Sequence, residues 1–209
     1  MKTHQNAVAQ VALAFILAVP MVAPAAAETP KTTAVSSAAA RPPAVHIDNF
    51  GRISDTYFRG AQPRGRDFAD LAGLGVKLVI DLAHEGDVNE RANVEREGMR
   101  FIRIPMTTDV QPSQDVVTAF LKLVTDPANQ PVYVHCMGGR HRTGVMTAAY
   151  RMTQQGWTAD KAFAEMKQYK FGADFLHPAL KSFVYNFYAG LEAPHAPTPV
   201  VAASMPAVR

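Results

Sequence analysis

Residues 131–144, PVYVHCMGGRHRTG, decide the fold. The first five are rich in β-branched and aromatic side chains and predict a strand. A helix is predicted from about 143 to 154, and the loop between them contains Gly138 and Gly139, which permit unusual backbone dihedrals. This stretch is therefore a strand–loop–helix unit.

Short apolar runs alternate with helical patterns along the rest of the chain. A hairpin is predicted at 52–53 and 57–59, and further strands at 77–82 and at 101–104, where Pro105 closes the strand. Helices are predicted around 68–74 and 88–98, at 116–124 after a cap at Ser113, after a second cap at Thr158, and in a final stripe ending at Leu191. The pattern predicts a compact single α/β domain whose central, mostly parallel sheet is flanked by helices.

In such sheets, ligands bind beyond the carboxyl ends of the strands. Cys136 follows the 131–135 strand directly and precedes a helix. The fold class thus places this cysteine where a ligand is expected.

Composition narrows the class of protein. The 209 residues are 48% hydrophobic and 19% charged, which is ordinary for one globular domain. The net charge is +3, without a dense Lys/Arg run or a nucleic-acid motif, so no nucleic-acid partner is expected. The oligomeric state is left open.

The folded domain is predicted to span 46–191, with a disordered linker at 28–45 and a disordered tail at 192–209.

The first 27 residues resemble an export signal. Lys2 precedes an apolar stretch at 11–23, and three alanines at 25–27 match a cleavage site. We expect cleavage near Ala27 and export, to the periplasm or beyond, with no stable membrane insertion afterwards. An uncleaved N-terminal anchor is the alternative.

Cys136 is the only cysteine, so no intramolecular disulfide can form. A lone thiol in an exported protein invites a chemical explanation, although a buried inert thiol is the alternative. A free thiol has a pKa of about 8.5 and is mostly protonated at neutral pH. A helix N-terminus and nearby cations favour the reactive thiolate.

Arg142 lies six positions after the cysteine. Loop amides and the helix N-terminus bind phosphate oxygens, and an arginine adds a bidentate fork. Thr143 is placed to stabilise the sulfur, and His135 either orients the loop or is a buried, hydrogen-bonded histidine. The residues expected to contact phosphate are Met137, Gly138, Gly139, Arg140, His141 and Arg142.

The loop HCMGGRHRTG resembles the signature of cysteine-dependent protein tyrosine and dual-specificity phosphatases. Together with NFGRISD at 49–55 and YFRGAQP at 57–63, it is similar to the atypical plant-and-fungal-type group and its bacterial relatives, over roughly 49–188. The resemblance implies a phosphoric monoester hydrolase acting on a phosphorylated protein or a small phosphorylated substrate. Members of the eukaryotic group prefer inositol pyrophosphates, and they commonly carry Lys where this chain has Met137, which weighs against a polyphosphate preference. Arg140 and His141 keep the loop cationic, so inositol polyphosphates remain an alternative.

The family also uses an aspartate on a loop before the cysteine as general acid. Asp109 is the candidate, since it follows the 101–104 strand between Pro105 and Pro112. Asp115 is the rival, but it falls in a first helical turn, where an acid has a structural explanation. The implied mechanism is attack by Cys136, a phosphocysteine intermediate, and hydrolysis by water activated by Asp109. No metal or cofactor is expected.

Two other classes compete with this interpretation. One is a catalytically silent phosphate-binding module, against which intact Cys136 and Arg142 argue. The other is a sulfur-transfer enzyme, against which the Arg142-Thr143 ending of the loop argues.

Overall fold

The computed structural model describes residues 44–193. The predicted signal peptide at 1–27, most of the linker at 28–45 and nearly all of the tail at 192–209 lie outside the described residues. Within the described range, no helix is both long and apolar enough to cross a membrane.

Five strands form one sheet: β1 (Gly51–Ser54), β2 (Tyr57–Ala61), β3 (Leu78–Ala83), β4 (Arg100–Met106) and β5 (Val132–Cys136). Their spatial order is β1-β2-β5-β3-β4. The hairpin β1–β2 is antiparallel, and the other three pairs are parallel. This topology confirms the predicted, mostly parallel α/β sheet.

Residues 44–193 contain six helices, of which the first three lie between strands and the last three follow β5: α1 (Asp67–Gly73), α2 (Glu90–Arg96), α3 (Gln114–Thr125), α4 (Arg142–Gln155), α5 (Ala159–Gln168) and α6 (Pro178–Glu192). Short 3-10 turns lie at Pro127–Asn129 and Asp174–Leu176. The side chains of Ser113 and Thr158 cap α3 and α5, as predicted, by accepting bonds from the Val116 and Lys161 amides.

The sheet is covered on both faces, because alternate strand residues point to opposite sides. Leu78, Ile80 and Val134 belong to a core cluster packed with residues of α3 to α6. Val79 and Tyr133 belong to a second cluster that includes residues of α1 and α2. The central strands are therefore buried on both sides, which explains their continuous apolar sequences.

Two residues, Pro105 and Leu191, have surroundings that differ from the sequence-based expectation. Pro105 lies inside β4 instead of closing it, which the ladder tolerates because β4 is an edge strand. Leu191 was expected on the buried stripe of the last helix but is 44% exposed, because the packing of α6 centres on Leu180, Phe183 and Val184.

Candidate active site

The loop between β5 and α4 lies at the carboxyl edge of the sheet. Cys136 is the last residue of β5, where it pairs with Ala61 of β2, and it is 2% exposed. Arg142 is the first residue of α4, and no side chain caps this helix. The amides of the first turn are thus left for another acceptor.

Three successive carbonyls of the loop are held from outside by donors on β2 and on the segments beside it. The donors are the Gln62 amide to Met137 O (3.3 Å), the Asn49 side chain to Gly138 O (2.7 Å) and the Arg59 guanidinium to Gly139 O. Since the C=O and N–H of one trans peptide point in opposite directions, the following amides turn inward.

The amides that turn inward are those of Gly138, Gly139 and Arg140. None of them donates to a backbone or side-chain acceptor within residues 44–193. Inward amides beside a helix N-terminus form an anion-binding nest. The loop is therefore built to hold an oxyanion above Cys136.

Gly139 is required by this geometry. Its φ is +61°, a conformation that side chains rarely adopt. A Cβ at this position would lie 2.4 Å from the carbonyl carbon and oxygen of Gly60. The loop approaches β2 at a distance that leaves no room for a side chain.

Arg142 is fixed by Glu85, which follows β3. Its Nη1 and Nη2 donate to the two carboxylate oxygens of Glu85 at 2.7 and 2.5 Å, and Nη1 also donates to Met106 O at 3.0 Å. Nε is buried and has no partner among the described residues. The edge formed by Nε and the second hydrogen of Nη2 is thus free to bind two phosphate oxygens.

Charge in the site follows from these contacts. Burial lowers the pKa of Arg142, but the bonds to Glu85 and the proximity of Cys136 outweigh it, and the net shift is upward. The hydrogen bonds from Arg142 lower the pKa of Glu85 to about 2. Both members of the pair are charged at neutral pH.

Sequence reasoning missed Glu85. The available signal was its position two residues after a buried strand, on the edge where Cys136 and Met106 also lie. Nothing in the local pattern distinguishes it from neighbouring surface acids such as Asp87.

Asp109 lies on the loop after β4 and is exposed. Its carboxylate accepts a long hydrogen bond of 3.4 Å from the hydroxyl of the neighbouring Thr108. Met106, three residues earlier, accepts a bond from Arg142, which anchors the start of this loop at the site. Three residues span at most about 10 Å, so Asp109 lies within that distance of Met106, and no contact among the described residues fixes its carboxylate at the nest.

Asp115, the rival acid, lies in the first turn of α3, where it interacts favourably with the helix dipole. This position fits the structural role that the sequence suggested for it.

Behind the loop, His135 is fully buried between two buried carboxylates. Its Nε2 lies 2.7 Å from Glu90 and its Nδ1 lies 3.8 Å from Asp81, but neither contact is a hydrogen bond, since the first lacks the geometry and the second is too long. Arg103 pairs with both acids, at 2.7 Å from Asp81 and 3.7 Å from Glu90. Asp81, Glu90 and His135 each offer a possible metal-ligand atom, and these atoms lie within 4.8 Å of one another. Because the Arg103 guanidinium pairs with both acids, the cluster is an ion-pair network that holds the histidine.

Thr143, His141 and Arg140 have different surroundings. Thr143 is fully buried and its hydroxyl has no partner among the described residues, which leaves it available to the sulfur. His141 is turned aside: its Nε2 contacts Phe171 O at 2.9 Å, and burial, followed by the charge of His177, lowers its pKa. The positive charge expected from His141 is therefore reduced at neutral pH, and exposed Arg140 carries the outer charge of the loop.

A cysteine at the end of a parallel strand, an inward amide nest and a free arginine fork define a phosphatase of the cysteine-dependent class. The family model described as "DSP-PTPase phosphatase fused to NAD+ Kinase" matches residues 26–181, three quarters of the chain. The chain belongs to this family of dual-specificity-type phosphatases.

Individual relatives of this chain are also named as phosphatases. The dual specificity protein phosphatase TpbA of Pseudomonas aeruginosa is 33% identical over 159 residues, which cover 76% of this chain and 69% of that protein. A probable tyrosine-protein phosphatase of Dictyostelium discoideum is 32% identical over 126 residues, 58% of this chain and 75% of that protein. The inositol diphosphatase SIW14 of Saccharomyces cerevisiae is 28% identical over 130 residues, 59% of this chain and 46% of that protein.

Solved structures show the same fold. The crystal structure of TpbA has a TM-score of 0.58 and 29% identity, covering 66% of this chain and 84% of that one. The core catalytic domain of yeast SIW14 has a TM-score of 0.57 and 24% identity, covering 69% of this chain and 93% of that one. The protein is a phosphatase that acts on phosphorylated substrates.

Proposed function

We propose that the protein hydrolyses phosphomonoesters of the phosphotyrosine and dual-specificity type through a phosphocysteine on Cys136. The observation that carries this proposal concerns the carbonyls of residues 137–139. Donors outside the loop hold these carbonyls, so the three following amides turn toward the space above the sulfur. In the first step the thiolate attacks phosphorus, and the bond to the leaving oxygen breaks as Asp109 protonates that oxygen. Water, deprotonated by Asp109, then hydrolyses the phosphocysteine.

Three features support the phosphotyrosine type over inositol polyphosphates. Met137, at the second loop position, is apolar and 40% exposed. A cavity of about 230 Å³ beside it is lined by Arg64 and His46 but also by the carboxylates of Asp48 and Asp67, which oppose a second phosphate group. Val110, next to the proposed acid, is 63% exposed and offers apolar contact to an aromatic leaving group.

The relatives named as inositol diphosphatases keep that substrate class as the second candidate. Exposed Arg140 is the observation that favours it, because its charge is free to meet another phosphate.

The test compares kcat/KM on phosphotyrosine peptides and on inositol polyphosphates. We expect the peptides to be the better substrates. Cys136→Ser should abolish turnover, by more than about 10⁴-fold, while still binding inorganic phosphate, since the amides and Arg142 remain. Phosphate release by the serine variant at the wild-type rate would contradict the covalent mechanism.

We also propose that the chain is exported after cleavage near Ala27. The support is the pattern of Lys2, the apolar stretch 11–23 and the alanines 25–27. Mass spectrometry of the protein recovered from fractionated cells tests this. A periplasmic or secreted form that begins at Glu28 is expected, and an intact N-terminus in a membrane fraction would support the anchor.

A further inference from the structure

Arg59 is the bulkiest of the fully buried side chains, and it lies in the middle of β2. A guanidinium is almost never fully buried unless a carboxylate neutralises it, because removing the charge from water is costly. The contacts of Arg59 therefore have to explain how its buried charge is stabilised.

Those partners are few. One Nη donates to Gly139 O, and the guanidinium lies over the Tyr169 ring at 3.9 Å from the centroid. Nε and the other Nη are buried without a hydrogen-bond partner among residues 44–193. Within that range no carboxylate lies at ion-pair distance from Arg59.

Arg151 shows what this protein does with a buried arginine elsewhere. It too lies over an aromatic ring, Trp157 at 4.2 Å, and donates to a backbone carbonyl, Ile53 O at 3.1 Å. It also has a carboxylate, Glu165, at 2.5 Å. Arg151 is also 9% exposed and donates to Gln155, whereas Arg59 is fully buried and lacks an acid.

The strand register indicates which group can supply the negative charge that Arg59 lacks. Arg59 pairs with Val134 in the parallel ladder between β2 and β5, and Cys136 is two residues further along β5. Val134 and Cys136 belong to the same core cluster as Tyr57, so Arg59 and Cys136 share one face of the sheet. Their Cα atoms are about 8 Å apart by strand geometry, within reach of an arginine side chain.

We infer that Arg59 is a positioning residue whose buried charge is balanced by the anion of the Cys136 loop. That anion is the bound phosphate in the complex, and the Cys136 thiolate whenever the sulfur is ionised. The bond to Gly139 O serves the same end, because it turns the Arg140 amide inward. The inference rests on the proposed function and adds to it a buried cation beneath the loop.

The test uses the fact that Cys136 is the only cysteine. The alkylation rate of the protein by iodoacetamide, measured against pH, reports the thiolate of this residue alone. In Arg59→Gln, which keeps a donor for Gly139 O but removes the charge, we expect the midpoint of that profile to rise by about one pH unit. Arg59→Lys keeps the charge and should leave the midpoint within about 0.3 pH units of wild type.

Arg151→Gln is the matched control, since it removes a buried, ring-stacked arginine that already has its own acid. It should lower the thermal unfolding midpoint without moving the alkylation profile. A folded Arg59→Gln protein with an unshifted profile would overturn the inference. A shift of a full pH unit in Arg59→Lys would also overturn it, even if the glutamine variant does not fold, because it would show that hydrogen-bond geometry matters and not charge.

This measurement needs no turnover. If the wild-type protein released phosphate from no monoester, the proposed function would fail, while the alkylation profiles would still decide the role of Arg59.

Discussion

The cysteine loop and the loop that carries Asp109 lie near the same edge of the sheet, but they are held differently. The carbonyls at 137–139 each have a donor from a separate part of the chain. The segment 107–113 is mostly exposed and is fixed mainly at its ends, where Met106 meets Arg142 and Ser113 caps α3. The difference indicates that the cysteine loop is preorganised by the fold, whereas the proposed proton transfer by Asp109 would depend on a segment that is free to adjust to the substrate.

Replacing the arginine fork should have the largest effect on this comparison. Arg142→Lys retains a charge but loses the Nε–Nη2 edge and the bidentate contact with Glu85. We expect kcat/KM to fall about 10³-fold, equally for activated and poor leaving groups, because the loss lies in phosphate binding. A lysine variant within tenfold of wild type would show that charge alone suffices.

Gly139→Ala tests the preorganised loop through its backbone. The added Cβ would meet Gly60 at 2.4 Å, so the loop must shift or change its φ. A displacement of about 1 Å is expected to cost about 10²-fold in kcat and to weaken phosphate binding. Gly138→Ala is the matched control, since the nearest atoms to its Cβ would be those of the flexible Arg140 side chain, at 3.5 Å. Equal losses in the two variants would argue against the tight approach to β2.

Asp109→Asn tests the less constrained half. An aryl phosphate with a poor leaving group should lose about 10²-fold in kcat/KM, whereas one with an activated leaving group should change only a few-fold. Inorganic phosphate should bind as in wild type. Equal losses for both leaving groups would remove Asp109 from the acid role, and Asp115→Asn serves as the control that should leave both unchanged.

Glu85→Gln should have the smallest effect. Arg142 loses its orienting partner, so we expect kcat to fall about tenfold, while inorganic phosphate binds at least as tightly because a competing anion is gone. A fall in phosphate affinity without a fall in kcat would contradict the orienting role.

The ion pair between Glu85 and Arg142 makes the stability of the fold depend on pH. Because the folded-state pKa of Glu85 is lowered to about 2, its stabilising contribution is present above the usual glutamate pKa of about 4.3 and is lost as pH falls through about 2. The difference in unfolding midpoint between wild type and Glu85→Gln should therefore be constant near neutral pH and shrink in acid. A difference that grows below pH 4 would oppose this assignment.

The sequence predicted the parts of the molecule that depend on local pattern. Strand and helix types, the caps at Ser113 and Thr158, and the position of Cys136 at a sheet edge all follow from periodicity and turn chemistry. The roles of Glu85 and Arg59 did not emerge, because they depend on contacts made 57 and 80 residues away in the chain. Pro105 was misassigned since its acceptability depends on β4 being an edge strand, which only the sheet order shows.

The wall of the phosphate site begins before the first strand. Asp48 O accepts a bond from the Ala61 amide, Ile47 is packed in the core, and Asn49, at a φ of 54°, directs its amide to Gly138 O. The segment ahead of β1 is consequently part of the catalytic unit. A chain that began at residue 50 would retain its nucleophile but lose the Asn49 bond to Gly138 O, which holds one side of the phosphate site.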